Sequence, residues 1–310
     1  MGGGLAARRR RCLAPAVADP ASSQPRGRTG SVEFSAEGAA ALTVASLHVY
    51  PVKSCRGLTV DALPLDPRGP IGDREWMVVD PEGRFVTQRD EPRLALVDVH
   101  RDVPTEPSAL RLSAAGEGEV GLGVAVDAPL RPVKVWRHEA LAEPARAECD
   151  AWISELLGRR VGLVRFPAGA FREANPRHAP PDSSAGLFSD GYPLLATTEA
   201  SLDELCRRLP EPVPMVRFRP NVVVRGGAPF DEDGWRELRI GEVELLVAKP
   251  CERCVVTTID PRTGEKGKEP LATLATFRRA PEGVLFGQNL VHRAPGTLRV
   301  GDPVRILGRG

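Results

Sequence analysis

Short strand-like stretches of apolar residues dominate the pattern along this chain. In "LTVASLHVY", Leu42, Val44, Leu47 and Val49 mix alternation with an apolar run and predict a strand. "REWMVVD" (74–80) and "RFVTQ" (84–88) predict two more, joined by the turn formers Asp80-Pro81-Glu82-Gly83. "LALVDVH" and "VGLGVAVD" continue the β pattern. "RFRPNVVVRG" (217–226) reads as a charged turn running into a β-branched strand. "VELLVAKP", "CVVTTID", "VLFGQNLVH" and "LRVGDPVRIL" predict the remaining strands. Helical spacing occurs in three places. In "AECDAWISELLG" (147–158), Cys149, Trp152, Ile153 and Leu156 share a face and Gly158 is a natural stop. In "ASLDELCRRL", Leu202, Leu205 and Leu209 repeat behind a capping-box pair, Ser201 and Glu204. "EPLATLATFRR" (269–279) places Pro270 in a first turn. Many strands with few helices predict a β-rich, mixed α+β, barrel-like fold rather than a doubly wound sheet.

Composition narrows the function. The 310 residues carry 42 Lys and Arg against 41 Asp and Glu, a formal net charge of +1. That balance, with aromatics at 5%, excludes a general nucleic-acid binder. No apolar run reaches the length of a membrane span. Residues 1–40 are rich in Arg, Gly, Pro, Ala and Ser, show no periodic apolar face, and are expected to be a disordered tail. No apolar stretch follows "RRRR", so export is not expected. The expected location is cytoplasmic, with a mitochondrial presequence as the alternative for so Arg-rich a start. The six cysteines (12, 55, 149, 206, 251 and 254) are scattered, which predicts free thiols in a reducing compartment.

"KPCERCVVTTIDPRTG" is the one stretch with an obvious chemical signature. Cys251 and Cys254 have zinc spacing, but a second close pair is missing and the five histidines are isolated. A thioredoxin-like pair opens a helix, whereas β-branched "VVTTI" follows here. A third reading has one thiolate binding one metal, with Cys254 at a strand start beside Arg253, whose guanidinium favours the thiolate. Basic residues recur at turns: Lys53 and Ser54 after one strand, Arg74 before another, Arg219 and Asn221 in "FRPN". Arg and Lys so placed could clamp an anionic cofactor.

In order, "YPVKSCRG", "GDREWMVVD", "TQRDEPRLALV", "FSDGYPLLATTEASLDEL", "RFRPNVVV", "CERCVVTTIDPRTG", "KEPLATLATFRR", "LFGQNL" and "GTLRVGDPV" resemble the MOSC-domain molybdenum proteins, and among them the amidoxime-reducing branch. The resemblance spans roughly residues 43–308. It implies a MOSC N-terminal β-barrel domain over 41–165 and a MOSC domain over 166–310. It implies a molybdenum cofactor, with Cys254 as the catalytic molybdenum ligand. Lys53, Ser54, Arg74, Asp190, Gly191, Tyr192, Arg219 and Asn221 match cofactor-holding positions, with Glu252 and Arg253 before the cysteine and Asn289 in "FGQN". Glu252 departs from the small polar residue of relatives, so its contact is expected through the backbone. Asn289 replaces an aromatic, which bears on substrate preference.

The activity implied is reduction of small N-hydroxylated compounds: amidoximes, hydroxylamines and hydroxylated base analogues. No dinucleotide fingerprint or four-cysteine cluster motif is present. A separate electron donor is therefore expected: cytochrome b5-type, ferredoxin or flavin reductase. Asp260 and Glu269 are the proton-handling candidates, with turn or cap duty the competing reading. The alternatives are a cofactor-sulfurating protein, whose cysteine carries persulfide, and a non-catalytic cofactor carrier.

Overall fold

A computed structural model of the chain describes residues 41–102, 109–180, 183 and 186–310. The tail expected over residues 1–40 lies outside the described residues.

Strand Thr43–Val49 forms as its alternation predicts, with Val44, Leu47 and Val49 turned into the core. It pairs antiparallel with Leu58–Val60 on one side and Val222–Arg225 on the other. From there a nine-stranded sheet continues through Leu194–Thr198, Gly283–His292, Val243–Glu252, Trp235–Ile240 and Val304–Arg309, with the short Arg279–Ala280 pairing off this path with Gly283–His292. Only Leu194–Thr198 and Val222–Arg225 run parallel within it. Strands from both ends of the chain therefore share one core, which includes Leu47, Leu194, Val222, Leu245, Leu290 and Trp235. Each such buried aliphatic side chain contributes about 1.5–3 kcal/mol relative to exposure.

The middle of the chain makes a five-stranded sheet, ordered Arg131–Val135, His138–Pro144, Gly162–Arg165, Trp76–Val79 and Phe85–Val86. A three-stranded sheet, Asp98–Arg101, Leu110–Ser113 and Glu119–Gly121, lies in the same hydrophobic cluster as helix α1 (Ala147–Leu157). The predicted face of α1 is buried, Cys149 with it, and Gly158 ends the helix at φ 60°. Helix α3 (Leu271–Phe277) forms where the spacing predicts it, but Pro270 stands at its N-cap, one residue before the first turn, rather than within it.

Four further expectations are corrected. Helix α2 (Glu199–Arg208) is capped by Thr198, whose hydroxyl accepts the Ser201 N–H, not by Ser201. Strand Leu194–Thr198 runs straight into the helix, so its last residue becomes the cap, while Glu204 pairs outward with Arg207 and Arg208. "LAL" at 94–96 belongs to a 3-10 turn (Pro92–Leu96) that precedes the strand. "VGLGVAVD" is strand only to Gly121, and Val126 is exposed.

The fourth correction bears on the chemistry. Val255–Thr258 is a single 3-10 turn, not a strand. Thr257 donates both its N–H and its hydroxyl to the Cys254 carbonyl, at 3.1 and 3.0 Å, and Thr258 donates its hydroxyl to Val255. These local bonds satisfy the backbone that a strand would have paired, and override β-branched propensity. Cys254 thus stands between the end of a long strand at Glu252 and the start of a helical turn.

Candidate cofactor site

Three loops converge beside the large sheet: residues 50–57, 72–75 and 215–221. Buried Asp73 ties them together. Its carboxylate accepts the Tyr50 N–H at 2.8 Å and the Asn221 side-chain amide at 3.1 Å, and pairs with Arg74 at 2.5 Å. Arg74 also donates to Asn221 Oδ1 (3.1 Å) and to the Arg219 carbonyl (3.2 Å). Asn221 completes the link by donating to the His48 carbonyl. The Tyr50 ring lies between two guanidiniums, Arg74 at 4.4 Å and Arg219 at 4.3 Å. Burial lifts the Tyr50 hydroxyl to about 12, so it is a neutral spacer between two cations.

A second set approaches from the smaller sheet. Lys53 is buried, its N–H bonded to the Trp76 carbonyl. Its ammonium donates to the Phe188 carbonyl and pairs with Asp190. Burial, with Arg172 and Arg74 nearby, pulls the Lys53 ammonium below its ordinary range, and Asp190 opposes this. Burial alone would raise Asp190; Lys53 and Arg89, with hydrogen bonds from Lys53 and Trp136, hold it well below the usual carboxylate range. Arg89 Nη2 stands 3.4 Å from Asp190 and 3.2 Å from the Cys254 sulfur. Arg253, the guanidinium expected beside Cys254, instead donates to Cys251 Sγ at 2.9 Å and to the Phe218 carbonyl.

The remaining candidates divide. Ser54 lies in the first loop, its carbonyl accepting from Gln88. Gly191 is open: nothing lies within 4 Å of where a Cβ would stand. Tyr192, Lys249 and Glu252 form a separate group, with the Glu252 carboxylate paired to Lys249. Asn289 belongs to the same edge through Pro250. Asp260 pairs with Arg217 at 3.1 Å and accepts the Arg262 N–H; Glu269 accepts the Thr273 N–H at the start of α3. Both therefore do turn or cap duty. Asp73, Arg89, Trp136 and Arg172 were missed. The only sequence signal for Arg89 was its place in "TQRD"; Asp73 and Arg172 reach the site only through the fold.

Two features mark this region. Among the described residues, six non-glycine residues have positive φ, and four of them, Ser54, Arg74, Trp136 and Arg219, are here. Such backbone costs about 1–3 kcal/mol per residue and gathers where the surroundings impose a function. Cations also outnumber acids. Lys53, Arg74, Arg89, Arg172, Arg219 and Arg253 face only Asp73 and Asp190. Arg219 donates to the Cys55 carbonyl and makes no salt bridge to a carboxylate among the described residues, and burial beside Arg74 pushes it down to about 10. Arg219 Nη2, Arg253 Nε, Arg172 Nε and Ser189 Oγ are buried without a hydrogen-bond partner. Buried donors in that state cost about 1–3 kcal/mol each.

A molybdenum cofactor, an anion that brings its own dithiolene donors, fits these residues. Its negative charge answers the cation excess and the orphaned donors. Its own ligands answer the metal side, because among the described residues no three His, Cys, Asp or Glu side chains are placed to hold a metal. A cavity of 330 Å³ adjoins the set at Tyr50, Gln88 and Arg219.

Comparison with known proteins agrees with this architecture. The MOSC N-terminal beta barrel domain matches residues 41–160 and the MOSC domain residues 184–305. Mitochondrial amidoxime-reducing component 1 of Mus musculus is 38% identical over 294 residues, covering 86% of this chain and 83% of that protein. The Homo sapiens protein is 37% identical with the same coverage. Molybdenum cofactor sulfurase of Oryza sativa is 34% identical over 78% of this chain but only 31% of its own length. With both domains matched in order along a β-rich fold, this chain belongs to the MOSC-domain family of the amidoxime-reducing components.

Proposed function

We propose that this protein is a molybdenum-cofactor-dependent enzyme that reduces small N-hydroxylated compounds, with Cys254 as the protein ligand to the metal. The observation that carries the reading is the partly exposed Cys254 beside an excess of guanidiniums, several of whose nitrogens are buried without a hydrogen-bond partner. The amidoxime-reducing names of relatives that match most of both chains support the same chemistry.

When bound, the cofactor supplies a metal that accepts oxygen and delivers two electrons. The balanced reaction is N–OH plus two electrons and two protons to N–H and water. Arg74, Arg219 and Lys53 hold the anionic cofactor, and Asn221 and Asp73 fix Arg74 in place. Asp190 keeps Lys53 directed at the Phe188 carbonyl and, ionised, does not serve as a proton donor. Gly191 leaves room on the solvent side. Tyr192, Lys249, Glu252 and Asn289 form the outer edge, where the exchange of an aromatic for Asn289 tunes substrate choice.

The electrons come from a separate donor, of cytochrome b5, ferredoxin or flavin-reductase type. No helix among the described residues is long and apolar enough to cross a membrane. The two amidoxime-reducing relatives are mitochondrial by name, and the Arg-rich first 40 residues suit that destination as well as a cytoplasmic one. The rice relative favours a second reading, in which Cys254 carries persulfide.

One preparation tests both. Metal and pterin analysis of purified protein, followed by benzamidoxime turnover with reduced viologen, should give molybdenum near one per chain and benzamidine. Protein with persulfide on Cys254 and no turnover decides for sulfur transfer; bound cofactor without turnover decides for a carrier.

A further inference from the structure

We infer that Arg89 is the positioning residue for the Cys254 sulfur, a role that rests on that cysteine holding the metal. Nη2 of Arg89 donates to Sγ at 3.2 Å. Among the described residues no other side chain donates to this sulfur. Arg253, the sequence neighbour, is engaged with Cys251 and Phe218.

Arg89 is itself held on several sides. Its guanidinium lies over the Trp136 ring at 4.8 Å and reaches Asp190 at 3.4 Å. Its N–H donates to Thr87 Oγ1, and its carbonyl accepts from Lys266 Nζ at 2.7 Å. Trp136 sits at the tip of the hairpin Arg131–Val135/His138–Pro144, 44% exposed and at φ 57°. Exposing a large ring on left-handed backbone is unfavourable on both counts. The placement is explained by what the ring does. One face carries the Arg89 cation, and Nε1–H reaches Asp190 at 3.2 Å. Asp190 in turn pairs with Lys53, so sulfur, Arg89, Asp190 and Lys53 form one connected line.

A cysteine side chain turns about a single bond and packs weakly. A fixed N–H donor selects one sulfur position and withdraws electron density from it. Donors of this kind set ligand orientation and shift the potential of the metal behind the sulfur. The position of Arg89 therefore bears on the electronics of the centre, whereas Arg74, Arg219 and Lys53 bear on holding the cofactor.

The test compares cofactor-loaded parent, Arg89→Ala, Arg89→Lys, Trp136→Phe and Cys254→Ser. Molybdenum and pterin content, the electron paramagnetic resonance spectrum of half-reduced molybdenum, and the midpoint potential are measured. Arg89→Ala should keep cofactor content close to the parent, yet shift the spectrum and lower the potential. Arg89→Lys, which keeps an N–H donor but not the stacked plane, should fall between the two. Trp136→Phe should lie nearer the parent than Arg89→Ala does. An Arg89→Ala spectrum and potential equal to the parent overturns the inference. So does loss of cofactor in Arg89→Ala and Arg89→Lys alike, which makes the residue a cofactor clamp. A Cys254→Ser spectrum equal to the parent overturns the ligand assignment, and Arg89 with it, so the two failures read differently.

Discussion

Arg89 and Cys254 stand 165 residues apart in sequence and 3.2 Å apart in space, guanidinium nitrogen to sulfur. The arginine adjacent to Cys254 faces Cys251 instead. The two cysteines of the C-x-x-C stretch thus have different guanidinium partners and different surroundings. Cys251 lies within the last residues of a strand, and Cys254 caps a helical turn beside the cation cluster.

That asymmetry separates the cysteines in an experiment. Cys254→Ala should lose molybdenum and activity together, because the soft donor is gone. Cys251→Ala loses one contact to Arg253 and should keep metal near the parent level. Metal analysis after gel filtration checks this, and the reverse pattern would exchange the two assignments.

Arg74 and Arg219 should differ in what else they do. Removing either charge-assisted donor should weaken cofactor retention by about 1.5–3 kcal/mol, on the order of tenfold to a hundredfold. Arg74→Ala also leaves the buried Asp73 carboxylate without its partner, which typically costs about 3–5 kcal/mol of stability. Arg219 makes no salt bridge to a carboxylate among the described residues and is repelled by Arg74, so Arg219→Ala should destabilise cofactor-free protein far less. Urea unfolding of the cofactor-free variants, beside pterin content of the loaded ones, reads both effects. Equal destabilisation would contradict the role given to Asp73.

Glu232 predicts a pH dependence. It is fully buried, and burial, with Asp233 adding, raises its carboxyl above the ordinary value despite hydrogen bonds from Ser201 and Thr198. The folded state therefore binds this proton more tightly than the unfolded chain. Its contribution is fully present below the unfolded carboxyl pKa and lost as pH rises through the folded one. Glu232→Gln, which keeps an acceptor for Ser201 without the buried charge, should raise the melting temperature at neutral and alkaline pH. The gain should shrink as the pH falls. A gain that grows toward acid would invert the sign of the shift.

Thr198 carries the cap of α2. Thr198→Ala should cost about 1 kcal/mol, within a range of about 0.5–2, whereas Thr198→Ser should restore most of it. Denaturant midpoints of the two variants check this, and an equal loss in Thr198→Ser would move the effect from the hydroxyl to the methyl group.

What local pattern governs was legible in the chain. Alternation in "LTVASLHVY" and the continuous apolar run "WMVV" made strands, the 3.6-residue face of 147–157 made a helix, and Gly158 stopped it, because each outcome depends on neighbours within a few residues. The ordered motifs pointed to the family for the same reason. Only the tertiary structure decided the rest. It placed Thr43–Val49 against Val222–Arg225, since strand pairing is chosen by the whole sheet. It turned "VVTT" into a helical turn through hydroxyl bonds to Cys254 and Val255. It held Ser54, Arg74, Trp136 and Arg219 on left-handed backbone, which no propensity announces. And it brought Arg89 to Cys254: a guanidinium on a long flexible stem goes where the folded field and open space take it, and sequence adjacency, which suggested Arg253, sets neither.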